Sequence, residues 1–146
     1  MKDTRTPLIT STVVALAATT YLSLHDCTKQ DSFSRLVLRI CIAFQLVQIM
    51  AAWSRNMYWT EISHIVYTIS IILLATVSNS RCVLHLLSAL VGTAIVTRLM
   101  FGKCMYNYDE TTYNRDSIFR NMPKAAADTI NYAVLFISLY RGMNRN

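Results

Sequence analysis

The chain has 146 residues, 53% hydrophobic and only 15% charged, against about 25% charged in ordinary soluble domains. That deficit, with few glycines and prolines, excludes a typical water-soluble domain and a disordered chain, and favours a helical membrane protein. A net charge of +6 would suggest nucleic acid in a soluble domain, but most basic residues flank apolar runs, where lipid headgroups take them up, so no nucleic-acid partner is expected.

The length is one domain's worth, and neither an internal repeat nor an Asn-x-Ser/Thr acceptor is present. In chain order, residues 1–6 form a short polar lead with Lys2 and Arg5. Residues 7–24 are free of charge and predict the first spanning helix. Pro7 suits a first helical turn, where a missing N–H costs nothing. Ser11, Ala15 and Ala18 supply small residues at helical spacing, a surface for close helix approach. Lys2, Arg5 and the Ala15-Leu16-Ala17 step also imitate a secretory signal. The apolar run continues past that step, which favours a retained helix.

Residues 25–35 are a polar connection, and 36–53 predict the second span. Arg39 lies close enough to its start to reach the interface. Cys41, Gln45, Gln48 and Ala52 fall on one helix face. Such a polar seam should turn away from lipid, either bonding to neighbouring helices or lining a pore. Trp53, Tyr58 and Trp59 cluster around the short loop bearing Arg55 and read as an interfacial aromatic belt.

Residues 60–77 and 83–101 predict the third and fourth spans. The apolar runs 62–77 and 82–101 hold no Asp, Glu, Lys or Pro, and their one Arg, Arg98, lies near an end. Each approaches the roughly 17–25 residues a membrane-crossing helix needs. The break Ser78-Asn79-Ser80-Arg81 is short enough to predict antiparallel neighbours. Ser88 and Gly92 form a small-xxx-small patch with His85 one turn before. His64 shares a face with Thr68, and Tyr67 with Ser70.

Residues 102–124 are a polar connection. Tyr106, Tyr108 and Tyr113 stand there beside Asp109, Glu110 and Asp116. The tyrosines are a candidate partner-contact loop, and the carboxylates do not match a calcium-loop spacing. Residues 125–140 would extend about 24 Å as a helix. That predicts a short or tilted fifth span, or an amphipathic helix lying flat at the interface. Asp128, Asn131, Leu135 and Ser138 share its face, and a basic tail begins at Arg141. With five spans, eight basic residues fall on the N-terminal side and six on the other, so the positive-inside rule places the N-terminus on the cytoplasmic face.

Four chemical possibilities follow. Cys27 and Cys82 lie on the same side, and a disulfide between them would staple the first two spans to the third and fourth. His25, Cys27, Cys82 and His85 also share that side and are metal candidates by residue type, but H-x-C and C-x-x-H are short motifs that arise readily by chance. Haem held by His25 and His85 is a remoter option. Asp128 either compensates the dipole of its helix in the first turn or pairs with Arg98. No phosphate loop, nucleophile elbow, HExxH or CxxC occurs, so neither a catalytic residue nor a cofactor is expected, and bound lipid is. Arg55-Asn56 with Glu61 resembles the layout of the small microsomal glutathione-using membrane enzymes. The first connection lacks their basic character and the Asn–Glu spacing differs, so the chain is not assigned to them.

The sequence therefore predicts an all-α polytopic transmembrane helical bundle of four spans plus a short fifth. Its expected role is a non-catalytic structural or accessory subunit of a larger membrane assembly or an envelope component, with lipid and other membrane subunits or its own copies as partners. The alternatives are a small oligomeric channel or carrier lined by Gln45 and Gln48, with Cys41 and Asp128 as the other candidates for its polar seam, and a membrane redox enzyme using His25, Cys27, Cys82 and His85.

Overall fold

A computed structural model describes residues 5–24, 32–101 and 124–144. Within them the chain is all-α, with no strand. The helices are α1 (Arg5–Leu24), α2 (Ser32–Trp53), α3 (Met57–Val77), α4 (Arg81–Phe101) and α5 (Lys124–Met143). Two of them, α2 and α3 from Tyr58 onwards, are long and apolar enough to cross a membrane, whereas α1 and α4 hold the shorter apolar stretches Ile9–Tyr21 and Arg81–Val96.

The helices exceed the apolar runs that predicted them. Ser32–Arg35 joins α2, and Lys124 and Arg141–Met143 join α5. A helix continues as long as its backbone bonds can, whatever the hydropathy of the added residues. Arg141 is thus the last-turn cation of α5 rather than the start of a tail. At about 30 Å, the 20-residue α5 is as long as a bilayer's hydrocarbon core is thick. It runs antiparallel to α4. Gly142 lies against Leu84 and His85, while Gly92 lies against Leu135, seven positions later than His85 on α4 and seven earlier than Gly142 on α5.

The sequence predicts α3 and α4 as a tight pair. The turn between them is short, Ser78–Ser80, yet their backbones approach each other at few places. The extensive contacts are α2 on α3, α4 on α5 and α1 on α2. Side-chain size on the facing surfaces accounts for this. Tyr67 and Leu74 of α3 and Val83, Leu87 and Val91 of α4 enter one apolar cluster, and bulky residues hold helix axes apart. Small buried residues line the closer pairs: Ala51, Ala52 and Ser63 for α2 and α3, Ser88 and Ser138 for α4 and α5, Ser11, Thr12 and Ala15 for α1. Such residues let backbones approach.

Both tight turns carry their own caps. At the end of α2, Asn56 N–H donates to Ala51 O at 2.8 Å and Arg55 N–H to Ala52 O at 3.4 Å. This is the Schellman pattern, with Arg55 in the left-handed position usually held by glycine, at φ 59°. Asn56 at once becomes the N-cap of α3, its side chain accepting from Trp59 N–H. In the other turn Ser80 Oγ accepts from Val83 N–H at 3.4 Å, and the Arg141 guanidinium donates to Ala75 O. That bond places a cation on an otherwise unpaired carbonyl at the negative end of α3.

Because a non-glycine residue in the left-handed region costs roughly 1–2 kcal/mol, Arg55→Gly should stabilise the protein. Allowing for glycine's greater unfolded-state entropy, the expected gain is about 0.5–1 kcal/mol in detergent-solubilised unfolding followed by circular dichroism. Arg55→Val should lower stability by about 1 kcal/mol. Equal stability of the three proteins would contradict this assignment of the turn.

Candidate functional site

Buried side chains in this bundle are unusually polar. Ser11, Thr12, Thr19, Ser34, Gln45, Gln48, Thr60, Glu61, Ser63, Ser70 and Ser138 are all buried. Many large apolar residues face outwards, among them Val14, Leu36, Leu46, Met50, Ile69, Leu99 and Phe136. The polar residues concentrate where α2 meets α1 and α3.

The inward face of α2 is Ser34, Val37, Leu38, Cys41, Gln45, Gln48, Ala51 and Ala52. Cys41, Gln45, Gln48 and Ala52 sit at 1–2% exposure. Towards α1, the Thr19 hydroxyl donates to Gln45 Oε1 at 2.9 Å. The same hydroxyl lies 2.9 Å from Ala15 O. It has one proton, so it serves one of these acceptors at a time. Towards α3, the Cys41 thiol lies beside the Ser70 hydroxyl, whose proton is directed to Val66 O at 2.8 Å. Continuing that antiparallel register by two turns brings Gln48 level with Ser63. Gln45 Nε2 and Gln48 Nε2 are buried with no acceptor among the described residues.

α1 depends on this seam. Its buried residues are Ser11, Thr12, Ala15 and Thr19, while Val13, Val14, Tyr21 and Leu24 face out. Hence, among the described residues of α1, the fully buried ones are small or carry a hydroxyl.

The other sequence candidates are dispersed. His25 and Cys27 lie outside the described residues, as do Tyr106, Tyr108 and Tyr113, so the disulfide and the four-ligand metal site also fall outside them. Of the remaining pair, Cys82 is half-buried and His85 is exposed, packed against Gly142. No group of three metal-ligating side chains occurs among the described residues. Asp128 is half-buried on α5, far along the chain from the seam. It is the fifth residue of α5, whose first turn holds no acidic residue, so compensation of the helix dipole in that turn is not its role. The side chain has an interaction partner.

Reading by hydropathy alone passes over Thr19, Ser63 and Ser70. Their signal is spacing: Thr60, Ser63, Tyr67, Ser70 and Leu74 recur at three and four residues, the period of one helix face, and all five are buried. The exposed rim of the α2–α3 turn carries Trp53, Tyr58 and Trp59. There Tyr58 and Trp59 meet edge-to-face, with ring centroids 5.9 Å apart.

Chemically the seam offers hydroxyls, carboxamides and one thiol. It can bind by hydrogen bonding, and the α3 side adds the buried carboxylate of Glu61. Comparison with protein-family models, with curated proteins and with solved structures finds no match to the chain.

If the Thr19–Gln45 bond ties α1 to α2, Thr19→Val and Gln45→Leu should be non-additive. A double-mutant cycle in detergent should return a coupling of about 0.6–1.7 kcal/mol, the range found for bonds between membrane helices. Strict additivity would mean the two side chains do not act together.

Proposed function

We propose that the chain is a multi-pass membrane protein, with α1–α4 and the longer-than-expected α5 as spans. In this proposal it serves as a structural or accessory subunit of a larger membrane assembly, with lipid around it and the N-terminus on the cytoplasmic face. Membrane embedding is supported by the distribution of polarity. The apolar windows of α2 and α3 are only 39% and 33% buried. The core helix of a soluble protein would be mostly covered, so so much uncovered apolar surface calls for a non-aqueous surround. Trp53, Tyr58 and Trp59 beside Arg55 suit the headgroup level at one end.

The subunit role is carried by α5. This helix runs antiparallel along α4, and among the described residues it is not one of the helices apolar enough to span alone. Its outward side presents Tyr132, Phe136, Leu139 and Tyr140, and Phe136 and Tyr140 stack at 6.3 Å. A helix of moderate polarity with an aromatic stripe is better placed against protein than against lipid. The transport alternative is disfavoured by the same burial that defines the seam. Gln45 and Gln48 are closed over by α1 and α3, so a path along them would require one of those helices to move away.

Extraction in a mild detergent followed by mass analysis of the intact particle tests the proposal. The expected result is a particle heavier than one 16.6 kDa chain, by added subunits or by further copies, which Phe136→Ala weakens without unfolding the bundle. A single chain that supports solute flux in liposomes, lost in Gln45→Leu, would overturn it in favour of transport.

A further inference from the structure

We infer that the seam between α1, α2 and α3 contains a built site for an internal water molecule, held by Gln48 and shared with Gln45. The inference rests on helix packing alone and does not depend on the subunit role.

Gln48 is 2% exposed, and its carboxamide nitrogen has no acceptor among the described residues. An amide N–H left without a partner in a low-dielectric interior is strongly unfavourable. Three positions earlier on the same helix face, Gln45 is 1% exposed, with its own Nε2 also lacking an acceptor. Residues at this spacing have Cβ atoms about 5–6 Å apart, a distance one water can bridge between two side chains.

The orientation of the Gln45 carboxamide does not alter the outcome. In one orientation Thr19 donates to Oε1, and the Gln45 N–H points into the seam beside that of Gln48. A water oxygen accepts from both. In the other, Gln45 Nε2 donates to Thr19 Oγ1 while Thr19 donates to Ala15 O. Gln45 Oε1 then faces the seam and accepts from a water that itself accepts from Gln48. In both arrangements one water satisfies the Gln48 donor and takes a second bond from Gln45.

The surroundings suit a water better than a larger ligand. The register set by Thr19 and Gln45 puts Gln48 level with the Ala15–Leu16 step of α1, and Ala15 is small and 1% exposed. On the other side Gln48 is level with Ser63, which is fully buried. The Ser63 hydroxyl proton is directed to Trp59 O at 2.7 Å or Thr60 O at 3.0 Å, which leaves an oxygen lone pair to accept from the water. Two carboxamides and a hydroxyl make up the two to four polar partners a buried water needs. No charged side chain is level with the site on α1 or α2, and on α3 the buried Glu61 is two residues from Ser63.

The test uses the full chain in detergent with nitrogen-15-labelled glutamine side chains. The Gln48 amide protons should show direct cross-relaxation with a long-lived water. Gln45 should show the same contact, and in Gln48→Leu the Gln45 contact should weaken or vanish while the helical spectrum is kept. Absence of any water contact at the Gln48 amide in the unmodified protein would overturn the inference. So would a direct contact from that amide to a protein hydroxyl in place of water. Because the decisive readings come from the unmodified protein, a variant that fails to fold leaves them standing.

Discussion

The arrangement depends on where polar side chains can go when the exterior is apolar. In the membrane setting proposed above, serines, threonines and two glutamines in these helices have no use for a hydrocarbon surround, and their hydrogen-bonding groups are expensive to leave unmatched there. The bundle turns them inward. Hydroxyls bond back to their own helix, as Ser63, Ser70, Ser88 and Ser138 do to carbonyls three or four residues earlier. The longer carboxamides must reach across, and Gln45 meets Thr19 of α1. In lipid the hydrophobic effect does not drive helices together, because the tails are as apolar as the side chains. Small residues and these few bonds then determine which helices touch.

That logic explains the pairing. α1, α2 and α3 form one closely packed set through Ser, Thr, Ala and Gln, and α4 and α5 form another through Ser88, Gly92, Ser138 and Gly142. Between the sets, larger apolar residues fill the space, joined by the bond from Arg141 to Ala75 O. The close hairpins are therefore α2–α3, with its self-capped turn at Ser54–Asn56, and α4–α5, which are separated by the longest polar connection in the chain. Short links force proximity only near the turn, and face composition governs the rest of the contact.

Much of this was legible in residue pattern. Five apolar runs become five helices, and the α2 face chosen for its glutamines is the inward one, because a helix period is a local property that sequence displays directly. Partner choice was not legible. Nothing in Ser78-Asn79-Ser80 says that α3 and α4 will diverge, since that follows from the sizes of Tyr67, Leu74, Val83 and Leu87 meeting in three dimensions. Arg55 in a left-handed conformation was hidden as well, because sequence signals for such caps are written in glycine and asparagine. The role of Asp128 was misplaced by one residue of helix boundary: once α5 begins at Lys124, the carboxylate leaves the first turn. The chemistry of residues 25–31 and 102–123, including Cys27 and the three tyrosines, belongs to segments outside the described structure.

The central claim is that the outward residues of these helices face lipid chains, and spin labels report that contact directly. Single labels at Leu46, Ile69 and Phe136 in bilayer-reconstituted protein should collide freely with dissolved oxygen and hardly at all with a water-soluble nickel chelate, whereas a label at Arg55 should meet the chelate. The two faces have opposite expectations, which makes the result unambiguous. Ready access of the nickel chelate to Leu46 and Ile69 would mean that water surrounds α2 and α3, and the account would be contradicted.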